Sequence, residues 1–264
     1  MVLRDRRPPG ALPPPGLLLR VLMSLLILTV AAACGPESGP ATGPAASAPT
    51  TAPPEPPTTV DPHLSFISRA EVPAVGVFES PDAPEPKVTL QNPTPHGGPL
   101  VFLEKDQEGP PDWVHVYVPV RPNGSTGWIR ASDVSGDSTR FRILVELAAH
   151  RLTVWNGDEL FHEERVGVGT PTTPTPTGRY YLTVLAHSLP DQVPAYGAYF
   201  YALSAFSEVY PTFGIGNGEI GLHGTADPRD LGTDVSNGCI RMSNEGVTKL
   251  AQALPLGTPI EIVP

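Results

Sequence analysis

Apolar and polar residues alternate from Trp113 to Val118. The valines fall on one face and Trp113, His115 and Tyr117 on the other, which predicts a half-buried strand. Arg121-Pro122-Asn123-Gly124 is a turn signal, and Gly127-Trp128-Ile129-Arg130 opens another short strand. Short strands and turns of this kind fill residues 71–136. A second β-pattern covers residues 139–264. Phe141–Glu146, Arg151–Trp155, Leu160–Val168, Tyr180–Val184 and Pro259–Val263 read as strands, with a hairpin turn at Asn156-Gly157-Asp158. Val247, Leu250, Ala251 and Leu254 recur at helical spacing, so Glu245–Leu254 is the one plausible helix. The expected class is mainly β, with one or two short helices and no internal repeat.

The stretch before these units is different. Residues 35–62 are rich in Pro, Ala, Thr, Ser and Gly and hold almost no large apolar side chain, so they cannot bury enough surface to fold and form a semi-stiff spacer. Residues 1–34 read as an export signal: Arg4, Arg6, Arg7 and Arg20 precede a short apolar run, Val21–Ala33, that ends in small residues before Cys34. The run is too short to span a bilayer comfortably, which takes about 20 apolar residues. Cys34, following Ala31-Ala32-Ala33, resembles the lipidated cysteine of a bacterial lipoprotein, although Ala31 stands where leucine is usual. Plain cleavage after the alanines is the other reading. The expected location is the outer face of the cytoplasmic membrane or the cell wall.

Charge narrows the partners. The chain holds 17 basic and 27 acidic residues, net −10, and the first 33 residues hold four arginines against one aspartate, so the remainder is still more acidic. This acidic balance argues against nucleic acid as a partner, because phosphate binding needs clustered Lys and Arg. With Cys34 lipidated or removed, Cys239 has no intramolecular partner, and a lone thiol in an exported protein points to a reactive residue.

The surroundings of Cys239 agree with that. Ser236-Asn237-Gly238-Cys239-Ile240-Arg241-Met242 follows His223-Gly224-Thr225 across a turn-rich loop. A thiol, an adjacent glycine and an imidazole are the parts of a cysteine acyl-transfer site, with Cys239 as nucleophile and His223 as general base and acid. Backbone amides of Asn237, Gly238 and Cys239 are candidate donors to an oxyanion. The carbonyl of Gly224 is the expected group that orients His223, ahead of Asp227 and Asp230, which sit in a solvated loop. Arg241 is placed either to bind a substrate carboxylate or to pin its loop, and Ser236 and Asn244 read as loop braces. The aromatic stretch Tyr196–Tyr201, with Phe206, Tyr210 and Phe213, reads as flap and groove wall, with Tyr196 and Tyr199 as substrate-binding candidates and core packing as the other role. His63, His96, His115, His150 and His162 read as surface or strand residues. One cysteine and one histidine are too few for a usual zinc site, and this chemistry needs no metal and no cofactor.

These residues carry a resemblance. His223-Gly224-Thr225, Ser236 to Met242 and Asn244, with Thr173-Pro174-Thr175-Pro176-Thr177-Gly178 upstream, are similar to the signature of the L,D-transpeptidase catalytic-domain family; Asn237 stands where histidine is commonest. The resemblance implies a β-sandwich-like domain with Cys239 in a groove beneath a mobile flap. It implies attack on the L-centre of a diamino acid in peptidoglycan stem peptides, loss of D-alanine, and thioester transfer to a second stem in a 3→3 cross-link. It also implies acylation by carbapenem-type β-lactams. Residues 71–136 resemble a bacterial SH3-like domain, a module that binds wall glycopeptide or packs on a neighbour. Two rival readings are an L,D-carboxypeptidase using the same site and a non-catalytic cell-wall-binding lipoprotein. The order of His and Cys, and the absence of the local cysteine signature, argue against a papain-like protease.

Overall fold

A computed structural model describes residues 61–188, 196–212 and 216–264. The signal-like segment, Cys34, most of the spacer and Phe213 lie outside the described residues. The N-terminal module has seven strands: β1 (Ser65–Ala70), β2 (Ala74–Val77), β3 (Val88–Gln91), β4 (Val101–Leu103), β5 (Trp113–Tyr117), β6 (Thr126–Arg130) and β7 (Val134–Thr139). They form three short antiparallel sheets, β4-β1-β7, β2-β3 and β5-β6, joined by single bridges from Phe78 to Trp128 and from Glu104 to Val116. Val75, Val77, Phe102, Val116 and Ile129 fill its core. The alternation at 113–118 has the expected outcome: Val116 is buried, while His115 stacks on Trp128 at 4.5 Å on the other face.

The module begins earlier and ends later than residues 71–136. β1 pairs with β7 along its whole length, from Ser65 opposite Thr139 to Ala70 opposite Val134. β7 is Val-Ser-Gly-Asp-Ser-Thr, mostly exposed, and carries no apolar pattern. Its partner strand alone makes it a strand.

The second unit has β8 (Phe141–Glu146), β9 (Arg151–Asn156), β10 (Glu159–Arg165), β11 (Val168–Gly169), β12 (Gly178–His187), β13 (Tyr199–Phe206), β14 (Glu219–Gly224), β15 (Asp234–Ser236), β16 (Ile240–Met242), helix α1 (Asn244–Ala251) and β17 (Pro259–Val263). Eight strands run in the order β10-β9-β8-β17-β12-β13-β14-β16. The ten-residue β12 turns this into a folded sheet: Gly178–Tyr181 pair with β17 and Leu182–His187 with β13. The concave side is filled by Ile143, Val154, Leu182, Tyr201, Leu222 and Ile240, closed by Val247 and Leu250 of α1. Ser243 caps the helix by accepting from Gly246 N–H at 2.9 Å. The helix ends at Ala251 rather than Leu254, because Pro255 disfavours helical geometry at the residue before it; Leu254 is still buried.

Two other elements differ from expectation. Leu160–Val168 is broken after Arg165, where Gly167 leaves the β9 edge and exchanges two 2.8 Å backbone bonds with Arg241. Of the aromatics read as flap and groove wall (Tyr196–Tyr201 with Phe206, Tyr210 and Phe213), Tyr199–Tyr201 and Phe206 belong to the interior strand Tyr199–Phe206, in which Tyr201 and Phe206 are buried. A third cluster, Ile67, Val101, Leu103 and Tyr181, joins the two units. Arg121 and Asn123 of the predicted turn reach across as well: Arg121 donates to the carbonyl of Ser207 at 2.8 Å, and the Asn123 amide bonds both backbone groups of Phe206 at 2.8 Å.

Candidate active site

β13, β14 and β16 lie side by side, antiparallel and then parallel, with Phe200 opposite His223 and His223 opposite Arg241. Alternation sends Tyr201, Leu222 and Ile240 into the core and leaves Phe200, Gly221, His223 and Arg241 on the other face. Cys239 immediately precedes Ile240, the partner of Leu222, so it lies level with Gly221. Gly221 N–H donates to its sulfur at 3.4 Å. Sheet register thus brings thiol and imidazole to neighbouring positions of one face.

The turn that presents the thiol is held from within and from behind. Ser236 Oγ donates to the Cys239 carbonyl at 2.6 Å and accepts from Gly238 N–H at 3.0 Å. Two buried threonines of the Thr-Pro loop grip the same turn: Thr173 Oγ1 donates to the Ser236 carbonyl and Thr175 Oγ1 to the Gly238 carbonyl, both at 2.9 Å. Gly238 has φ 116°, and a Cβ there would come within 2.9 Å of Ile220, so only glycine suits the position. The expected oxyanion set shrinks accordingly. The Gly238 amide is already bonded to Ser236, whereas the Cys239 amide has no partner among the described residues. Asn237 is exposed at the tip of the turn.

His223 is 2% exposed. Its Nδ1 lies 2.7 Å from the Gly224 carbonyl, which can only accept, so Nδ1 carries the proton and Nε2 presents a lone pair. Burial lowers the imidazole pKa to about 4, and the Arg241 charge acts in the same direction, against the Gly224 bond and Asp230. Burial likewise raises the Cys239 thiol, against the Gly221 N–H and Arg241, both of which favour thiolate. Both shifts favour a resting thiol beside a neutral imidazole.

Asp230 is buried, not solvated as the loop sequence implied. It accepts from Arg241 at 2.9 Å and from Thr225 Oγ1 at 2.6 Å, and it does not bond the histidine. Asp227 is tied instead to exposed Arg229. Arg241 thus pins the loop through Asp230, while its Nε is buried without a partner among the described residues.

The aromatic candidates divide. Tyr196 packs edge-on against His223 at 5.4 Å, and Phe200, not singled out from the sequence as a site residue, stacks on His223 at 5.9 Å. Tyr199 points to the opposite face, against His187 at 4.9 Å and the main core, so it is not brought to the site. Asn244 locks the Tyr196 segment to the histidine: its side chain accepts from Ala198 N–H and donates to the Thr225 carbonyl, each at 2.9 Å. Gly197, at φ 65°, lies so close to Gly224 that a Cβ would fall inside its backbone. Five other imidazoles pair with carboxylates, for example His115 with Asp106 and His150 with Asp234.

Fold and site together define a mainly-β domain with a cysteine–histidine centre on a glycine turn. Residues 140–262 match the YkuD family, the L,D-transpeptidase catalytic domain. The chain is 34% identical over 128 residues to L,D-transpeptidase YkuD of Bacillus licheniformis, covering 48% of this chain and 68% of that protein. It is 32% identical over 122 residues to L,D-transpeptidase YkuD of Bacillus subtilis, covering 46% and 65%. The chain belongs to this L,D-transpeptidase family. A solved L,D-transpeptidase from Mycobacterium smegmatis superimposes with a TM-score of 0.39 at 14% identity, over 75% of this chain and 99% of that one. The match spans only about two thirds of the Bacillus proteins' own length.

Proposed function

We propose that the protein is a peptidoglycan L,D-transpeptidase that forms 3→3 cross-links through a thioester on Cys239. The observation that carries this reading is the locked tautomer of His223, whose free Nε2 shares a sheet face with the thiol. Nε2 takes the thiol proton as sulfur attacks the carbonyl of the L-centre in a tetrapeptide stem. The Cys239 amide donates to the oxyanion that forms. Collapse breaks the C–N bond, and the imidazolium returns its proton to the departing D-alanine amine. The side-chain amine of a second stem then attacks the thioester; a C–N bond forms, the C–S bond breaks, and His223 passes the amine's proton to the leaving sulfur.

The same proposal places the protein outside the cytoplasmic membrane, with Cys34 as its lipid anchor and residues 35–62 as spacer. The support is the arginine-led apolar run before Cys34. The test is incubation with purified tetrapeptide muropeptides, beside Cys239→Ala, with products read by mass spectrometry. A Cys239-dependent dimer lacking one D-alanine is expected. Tripeptide alone would make the protein a carboxypeptidase, and unchanged substrate would end the enzymatic reading.

A further inference from the structure

Glu219, Gly221 and His223 alternate onto the same face of β14. At about 3.3 Å per residue, Glu219 lies about 7 Å along the strand from Gly221, where the sulfur sits. At this end the face opens into a cleft of about 710 Å³ between the N-terminal module and the catalytic sheet. Val184 and Phe206 form its floor, and Leu90, Leu100 and Val120 its opposite wall. Glu219 is the only carboxylate that lines it among the described residues. Its side chain is 21% exposed and is held at 2.8 Å by His96, which reaches over from the loop between β3 and β4. The guanidinium of Arg121, also in the wall, is taken up by the Ser207, Tyr210 and Asn217 carbonyls and by the Phe206 ring.

Among the described residues the cleft thus offers one carboxylate, Glu219, on the thiol's face of the sheet, while at the other end the Arg241 guanidinium is already paired with Asp230. The two substrates of amide exchange differ in charge. A donor stem ends in a carboxylate beside the scissile bond, whereas an acceptor brings a primary ammonium. We propose that the cleft is the acceptor site, in which Glu219 receives the side-chain ammonium of the second stem and the apolar walls cover its methylenes. The ammonium gives up one proton to solvent, and the amine advances along the face to the thioester carbonyl. The N-terminal module thereby supplies one wall of the active site. This rests on the transfer reading above.

The experiment follows two half-reactions in the purified protein: acylation by a tetrapeptide donor, read by intact mass, and cross-linking against acceptor concentration. Glu219→Gln, which keeps the shape and removes the charge, is expected to raise the acceptor KM about tenfold, the size of one charge-assisted hydrogen bond. Acylation and hydrolysis of the acyl-enzyme by water are expected to stay within about twofold of wild type. Gln91→Trp, on the exposed wall of the N-terminal module, should raise the acceptor KM in the same direction by filling the cleft. An unchanged acceptor KM in both variants, or acylation that falls in step with cross-linking, would overturn the assignment. A wild-type protein that forms no acyl-enzyme at all would instead sink the transfer reading, and this site with it.

Discussion

His223 is placed to be neutral at all but acidic pH, and this has a thermodynamic consequence. Unfolded, its imidazole titrates at about 6.5; folded, at about 4. Between these values the unfolded chain binds the extra proton and the native one does not. Stability from this residue is complete above pH 6.5 and is lost as pH falls towards 4, by up to about 3 kcal/mol at 1.36 kcal/mol per pKa unit. His223→Gln removes the titration, so wild type should lose about that much more stability than the variant between pH 6.5 and 4 in chemical denaturation. Equal slopes would show that the imidazole is not held neutral by burial. At this scale the sequence was informative where the chemistry is local: His223, Gly224 and Cys239 sit in two short motifs whose residue types have few other uses together. Phe200 and Asp230 were hidden for the opposite reason. Phe200 reaches the imidazole only through strand register, and a loop aspartate reads as solvated until a distant arginine is seen to cover it.

Among the elements, the Thr-Pro loop is the one whose role is least visible in its own composition. Pro and Thr signal only a turn-rich loop, yet Thr175 joins Gly169 N–H, at 2.9 Å, to the Gly238 carbonyl. It fixes the nucleophile turn to the strand-edge segment behind it. Thr175→Val keeps the volume and deletes both bonds inside a site where water does not replace them, with an expected cost of about 1–3 kcal/mol. Acylation should slow as well, because the Cys239 amide and sulfur are set by the same turn. A variant with wild-type stability and acylation rate would mean that the turn holds its own shape. β13 shows the limit of pattern reading from the other side. Its aromatics look like a groove lining in sequence, but alternation in a sheet with one covered face sends Tyr199 and Tyr201 inward and Phe200 outward.

For the whole molecule, the two β-units predicted from the strand pattern are both present, but the break between them is not a linker. Ile67, Val101 and Leu103 pack on Tyr181 of the catalytic unit, and all four are buried. The sequence showed a change of pattern near residue 139, and its SH3-like resemblance allowed packing on a neighbour, but the residues of the shared core were not legible because their contacts join positions far apart in the chain. The modules should unfold together. Ile67→Ala, made in the N-terminal module, is expected to cost about 2–4 kcal/mol and to move a single transition that also reports the catalytic unit. Two separated transitions, with the catalytic one unmoved, would contradict a common core.

Whether Cys239 carries the acyl group is read from intact-protein mass spectrometry during reaction with a tetrapeptide stem. The expected species is heavier by the stem less D-alanine, maps to Cys239, is absent in Cys239→Ala, and is discharged when an amine-bearing stem is added. Turnover of the stem with no such species in wild type, or with the same products from Cys239→Ala, would contradict acyl transfer through Cys239.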